Sequence, residues 1–310
     1  MAYDRGAHEV GGGTWAYLQP DGGWGWSNAG LITDGDASLL VDTLFDLALT
    51  AQMLEDLRNV SPAAAHIGTV VNTHANGDHC YGNQLVTGAE IVASAASARE
   101  MDEVPPSTLA RLLDAAPGLG AAGAYLQQIF GAFTFEGIEV VPPTSTFEGE
   151  LELRVGDRVV RLLELGPAHT RGDVVAHLPD AGILFTGDLV FHGGHPIVWA
   201  GPVQRWIDAC DRMLSLEAQV VVPGHGPLGG RSCIEDQRAY FDWLVTEGAP
   251  RLQGGLSPLD AARDLARGPY AGWGEGERLV VNLTALARDL GLEPVDDVLT
   301  LFGGMAALAG

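Results

Sequence analysis

His74, Asn76, Asp78 and His79 lie within the stretch Val70 to Asn83, VVNTHANGDHCYGN, directly after a short apolar run. Imidazole and carboxylate groups crowded on a loop after a strand can converge on one point, and a divalent cation is the usual chemical reason to converge them. Other apolar runs end the same way. Asp42 closes LLVD, His169 stands in GPAHTRGD, Asp188 in LFTGD and His225 in PGHGP. A single histidine after a strand more often makes a structural hydrogen bond. Five strand ends that each present a ligand-type residue make coincidence a poor explanation, although spacing alone leaves their convergence open.

The elements that must position these residues follow from patterning. Runs broken by DGG and DGD predict strands near 14–19, 28–33 and 37–42, and the apolar spacing of Leu47, Met53, Leu54 and Leu57 predicts a helix over 44–60. HIGTVVN at 66–72 reads as a buried strand that delivers the histidine-rich loop. A helix turn at 84–86, a strand at 91–93 and a helix start at 95–101 follow. Residues 102–135, with Pro105, Pro106 and an Ala- and Gly-rich run, read as an inserted helical segment that either walls a pocket or only covers core. Strands are then expected at 138–141, 147–153, 157–165, 174–178, 182–186 and 220–222, with a helix at 203–216. The remainder is helical, most clearly at 236–247, 258–267 and 277–290. No linker separates two units, so the chain reads as one domain over 1–310: a core of about 14–230, then a helical C-terminal extension of about 231–310.

Composition narrows the function. The chain has 310 residues, 46% of them hydrophobic, and carries a net charge of -23 with no basic run. A nucleic acid or an anionic membrane surface is therefore an unfavourable partner. Three dispersed cysteines without CxxC spacing fit a reducing compartment, and the absence of a leader pattern or a long apolar span leads to the expectation of a cytoplasmic protein. Cys80 reads as a small buried hydrophobe. His192 and His195 in FHGGHPIVW, together with Trp24, Trp26, Trp199 and Tyr125, are candidates for a substrate pocket; each aromatic taken alone is more often core.

The order THxxxDH, His169, Asp188 and His225 resembles the metallo-β-lactamase superfamily over roughly residues 14–230. The resemblance implies an α+β fold, a four-layer αββα sandwich with its active site at one edge. It also implies that His74 and His169 hold one metal, that Asp78, His79 and His225 hold a second, that Asp188 bridges both and that Asp42 supports the ligand loop. Asn76 departs from the pattern, standing where the family places a second histidine. Its neutral amide oxygen is a weaker ligand than imidazole. Three readings stay open: two metals with Asn76 as a weak ligand, one metal at Asp78, His79 and His225, or no metal.

With zinc, or less readily iron, the resemblance implies a hydrolase in which the metal activates water and polarises a carbonyl, with Asp78 and Asn76 at the chemistry. A weakened first metal favours an already activated acyl group such as a thioester. The motifs are also similar to lactamase-fold cyclase/thioesterases of aromatic polyketide biosynthesis, which implies a polyketide substrate presented by an acyl carrier protein. The alternatives are a glyoxalase II-like small-molecule thioesterase or lactonase, and a non-catalytic binding protein that kept the fold. Self-association into a homo-oligomer is left open.

Overall fold

The structure is a computed structural model that describes residues 3–295 and 297–310. Among the described residues twelve strands form two sheets. In the first, β1 (Gly6–Gly11), β2 (Thr14–Leu18), β3 (Ala29–Asp34), β4 (Ala37–Val41), β5 (Thr69–Val71), β6 (Glu90–Ser94) and β7 (Ser145–Phe147) lie in chain order. In the second, β8 (Glu150–Val155), β9 (Arg158–Glu164), β10 (Val174–Leu178), β11 (Ile183–Phe185) and β12 (Val220–Val222) do the same.

Side-chain alternation explains the layering. Leu39, Val41, Val71 and Val92 of the first sheet face Val174, Ala176, Leu178, Ile183, Phe185 and Val222 of the second, forming the core between the sheets. Their neighbours point outward. Leu40, Val70 and Ile91 pack against Met53, Leu54 and Leu57 of helix α1 (Leu47–Val60). Val175, Leu184 and Val221 pack among residues of helices introduced below, such as Trp206 and Phe241. Strands buried on both faces require a helical layer on each outer side, giving the expected αββα sandwich. Between the sheets Phe185 lies directly on Gly30, where an added Cβ would come within 2.0 Å of the ring.

Helix α1 starts three residues later than its apolar spacing suggests because Asp46 caps it, accepting a hydrogen bond from the Leu49 amide at 2.8 Å. After α2 (Gly77–Cys80) and α3 (Ala95–Glu100), the 102–135 segment forms α4 (Pro106–Ala115) and α5 (Gly120–Phe130). No strand forms at 138–141. Pro142 and Pro143 have no N–H to give a ladder, and pairing resumes only where the Thr144 amide donates to Ile91 O at 2.8 Å. Beyond the sheets lie α6 (Val203–Leu214), α7 (Arg231–Gln253), α8 (Pro258–Leu265), α9 (Leu279–Asp289) and α10 (Val298–Ala309). Helix α7 is about twice as long as the 236–247 segment anticipated, α10 falls in the remainder read as helical without being singled out, and β1 was not anticipated. Among the described residues no helix is long and apolar enough to cross a membrane.

Parallel pairing in both sheets places the chemistry at one edge. β4, β5 and β6 run parallel, as do β11 and β12. Their carboxyl ends therefore emerge together, carrying Asp42, the 72–80 loop, Asp188 and His225 towards the same seam.

Candidate metal centre

Asp42 follows β4 with φ of 61°, a left-handed conformation that Asp tolerates better than most residues. Its Oδ1 accepts the Thr73 amide at 2.7 Å, while Oδ2 accepts the Thr73 hydroxyl at 2.7 Å and faces His79 Nδ1 at 2.9 Å. One buried carboxylate thus fastens the start of the loop and the ring that ends it. The His79 carbonyl is held in turn by the Thr43 amide at 3.0 Å and Asn72 Nδ2 at 3.0 Å.

On the second sheet, the loop after β9 is tied by Asp173, which accepts from the Ala168 and Thr170 amides and from the Thr170 hydroxyl. His169 is oriented by that loop. Asn28 spans the seam: its Nδ2 donates to Pro223 O at 3.0 Å and Gly226 O at 2.8 Å, bracketing His225. Gly224 lets Asp188 nest beside the backbone, since a Cβ there would stand 2.0 Å from its Oδ1.

All four histidines have one ring nitrogen engaged and the other directed at a shared carboxylate. The Thr73 hydroxyl donates to Asp42, so it accepts from His74 Nδ1 at 3.0 Å. His79 Nδ1–H donates to Asp42, His169 Nδ1–H to Ile197 O at 2.7 Å, and His225 Nδ1–H to Gly22 O at 3.1 Å. The partners select the tautomer in each case. Around Asp188 the Nε2 atoms stand at 3.0 Å (His79), 3.4 Å (His169), 3.5 Å (His225) and 3.8 Å (His74). Asp78 Oδ2 lies 3.3 Å from His225 Nε2.

Two groups result, His74 with His169 and Asp188, and Asp78 with His79 and His225; within each, the candidate ligand atoms lie within 4.8 Å of one another. His74 Nε2 is buried without a hydrogen-bond partner, and His79 Nε2 and Asp188 Oδ1 face each other at 3.0 Å without hydrogen-bond alignment. Buried polar atoms left this way are costly unless something binds them. Convergent imidazole and carboxylate donors with their lone pairs aimed inward fit a pair of divalent cations.

Electrostatics reinforce that fit. Burial would lower His79 and His225, but neighbouring carboxylates, Asp188 foremost, outweigh it: His79 is raised well above the usual imidazole range and His225 to about 9. His74 and His169 are held down, chiefly by burial. For Asp188, burial acts upward, yet His225, His79 and His74 hold the carboxyl well below its ordinary value. A ligating imidazole must be neutral, so cation binding here displaces protons from His79 and His225.

Asn76 joins the first group. Its Nδ2 stands 3.0 Å from His169 Nε2 and donates to it; rotating the amide presents Oδ1 in the same place. A cavity of about 860 Å³ opens above the two groups, with Asn76, Asp78, His169, Asp188 and His225 along its base. Trp24, Phe130, Trp199 and Phe302 form much of its wall, with Leu109 and Leu112 of α4. The inserted helices therefore wall the cavity.

Several pocket expectations are corrected. Trp24 and Trp199 line the cavity, whereas Trp26, His192, His195 and Tyr125 do not. Trp26 packs on Phe133, with centroids 4.8 Å apart, and under Arg5. His192 donates from Nδ1 to Pro227 O at 2.8 Å, and Tyr125 donates to Glu277 at 2.9 Å. His195 is buried between the Tyr240 hydroxyl at 3.2 Å and Tyr270 O at 3.1 Å. In each case a nearer partner in the protein takes the polar or aromatic group. Sequence reading also passed over Arg278 and Phe302 in the cavity, and Asn282, whose amide holds the 196–198 backbone. All three come from the C-terminal extension, where helical periodicity gives no sign of which residues reach a distant loop.

Comparison with known proteins agrees with this geometry. The family model described as the metallo-beta-lactamase superfamily matches residues 22–225. An acyl-coenzyme A thioesterase of Bos taurus is 30% identical over 94 residues, which is 28% of this chain and 33% of that protein. A hydroxyacylglutathione hydrolase of Synechococcus is 26% identical over 154 residues, covering 47% of this chain and 45% of the relative. The chain thus spans less than half the length of either curated relative. Among solved structures, a sec-alkylsulfatase of Pseudomonas superposes with a TM-score of 0.66 at 18% identity, over 93% of this chain and 51% of that one.

Proposed function

This chain belongs to the metallo-beta-lactamase superfamily, and we propose that it is a metal-dependent hydrolase of small acyl thioesters. The observation that carries the proposal is the set of four histidines, each with Nδ1 tied to an oxygen and Nε2 turned onto the Asp188 carboxylate. Zinc suits these nitrogen and oxygen donors best, with iron second. His74, His169 and Asp188 would hold one ion, with Asn76 as a weak fourth donor, and Asp78, His79 and His225 the other.

A bound divalent cation supplies Lewis acidity and lowers the pKa of water at the site to about 7. The protein's own groups supply the rest. Asp78 lies at the base of the cavity and is well placed to take a proton from attacking water. Asn76 Nδ2 can donate to the oxygen that gains charge as the carbonyl is attacked, a stabilisation that strengthens in the transition state. Asp42 and Thr73 fix the rings of His79 and His74, so the ligands need little reorganisation. The aromatic walls exclude water and suit an apolar acyl chain.

A thioester is favoured over an amide because an amide donor at the first ion position would hold that ion less tightly and leave the site less fully occupied, and thioester hydrolysis demands less of the centre. The two curated relatives named as thioesterase and glutathione-ester hydrolase support this small-molecule reading. Nothing in those relatives supports the ring-closing half of the polyketide expectation. Elemental analysis should find zinc at one or two equivalents per chain, and Asp188→Ala or His225→Ala should abolish hydrolysis of a short acyl thioester. Full activity in a metal-free preparation of either variant would refute the mechanism.

A further inference from the structure

We propose that Arg278 forms an anion subsite beside the metal centre, so that preferred substrates carry a carboxylate within a few bonds of the scissile thioester. This rests on the thioesterase reading for the chemistry but not for the subsite itself. Arg278 is only 2% exposed, yet it contributes to the lining of the cavity. Its guanidinium carbon lies 4.4 Å over the Trp24 ring and 5.1 Å from the Phe191 ring. Nη1 donates to His195 O at 2.9 Å. Nε is buried without a hydrogen-bond partner, and among the described residues no carboxylate stands within ion-pair distance of this side chain, although the carboxylate of Glu275 is near enough to feel its charge. The nearby Glu277 is already engaged, its Oε1 accepting from Trp24 Nε1 at 3.1 Å and from the Tyr125 hydroxyl at 2.9 Å.

A buried guanidinium with unused donors is costly, and its fork geometry matches a carboxylate. The position gives the ligand its relation to the chemistry. Phe191, on which Arg278 rests, stacks on His225 with centroids 5.1 Å apart and planes 8° from parallel. One aromatic ring thus separates the cation from a candidate metal ligand. A thioester carbonyl at the metal centre and a carboxylate at Arg278 are therefore only a short methylene chain apart, and Trp24, Trp199 and Phe302 offer that chain an apolar surface.

The carboxylate could belong to the acyl group or to the thiol. Three thioesters separate the sources: valeryl-N-acetylcysteamine with neither carboxylate, glutaryl-N-acetylcysteamine with one on the acyl chain, and valeryl-N-acetylcysteine with one on the thiol. The zinc-loaded protein should show a higher kcat/KM for one carboxylated substrate than for the neutral one. Arg278→Gln should reduce that preference about tenfold or more, and Arg278→Lys should keep part of it. A separate binding assay follows tryptophan fluorescence on titration with glutarate or glutaramate, which differ by the one carboxylate that remains when the other meets the metal. Glutarate should bind about tenfold tighter, and Arg278→Gln should remove the difference. Equal binding of the two by the unaltered protein, or an undiminished preference in a folded Arg278→Gln, overturns the subsite. If no thioester is hydrolysed but glutarate binding still depends on Arg278, the thioesterase reading fails and the subsite stands.

Discussion

Replacing Asn282 with leucine tests whether the C-terminal extension helps to build the metal centre. Asn282 on α9 is fully buried; its Oδ1 accepts the Val198 amide at 2.9 Å, and its Nδ2 donates to Pro196 O at 2.8 Å and to the Tyr240 hydroxyl at 2.9 Å. Between the two backbone groups lies Ile197, whose carbonyl accepts from His169 Nδ1. Leucine fills similar volume but leaves the Val198 N–H and the Pro196 carbonyl buried without partners. At about 1 to 3 kcal/mol for each unsatisfied group, the variant should lose about 2 to 6 kcal/mol of stability in urea. The centre should respond unevenly. His169 loses its fixed orientation while His79 and His225 keep theirs, so chelator competition should show one zinc equivalent weakened about tenfold and the other unchanged. Equal weakening of both equivalents, or of neither in a destabilised but folded variant, would refute the link from α9 to His169.

Three further outcomes follow from the same geometry. Asp42→Asn keeps a residue that accepts the left-handed backbone but removes the charge facing His79, so metal affinity should fall about tenfold to a hundredfold; Asp42→Ala should additionally cost about 1 kcal/mol or more in urea unfolding, and equal stability of the two variants would contradict the backbone argument. Asn76→His should tighten the weaker zinc equivalent at least about tenfold in chelator competition, and an unchanged affinity would remove Asn76 from the ligand set. His195 is lowered by burial to about 4, below its unfolded value of 6.5, so its contribution to stability is present above pH 6.5 and lost as pH falls towards 4. The urea-derived stability of the unaltered protein should therefore drop about 3 kcal/mol more than that of His195→Gln over this interval, and parallel pH profiles would show that His195 takes up no proton there on unfolding.

The sandwich and the residues at its edge were legible because strand ends leave a local signature. VVNTHANGDH, LFTGD and PGHGP each join a short apolar run to polar and glycine residues, and parallel pairing gathers such ends on one side. Side-chain direction was not legible. His195 sits three residues from His192 in a loop that does touch the cavity, but Tyr240 and Tyr270, from distant helices, draw its ring away. Arg278 and Asn282 fall in a helical region where both read as ordinary polar positions, and only tertiary packing brings them against the 191–198 loop. The misplaced strand at 138–141 has a different cause: its apolar residues satisfied the pattern, while the two prolines after it denied the hydrogen bonds.

The contact between Phe185 and Gly30 gives the inner core a gauge-like role. His74, Asp78 and His79 hang from one sheet and His169, Asp188 and His225 from the other, so the thickness of the sandwich sets the gap across which a bound ion would have to be held. Metal–ligand bonds tolerate errors of only about 0.2 Å. One methyl group added at Gly30 would wedge the sheets apart beside the strand ends that lead to Asp42 and Asp188, and the centre would register that wedge as mismatched jaws. Packing deep in this core therefore calibrates the chemistry at its rim, and metal affinity becomes a ruler for the distance between the sheets.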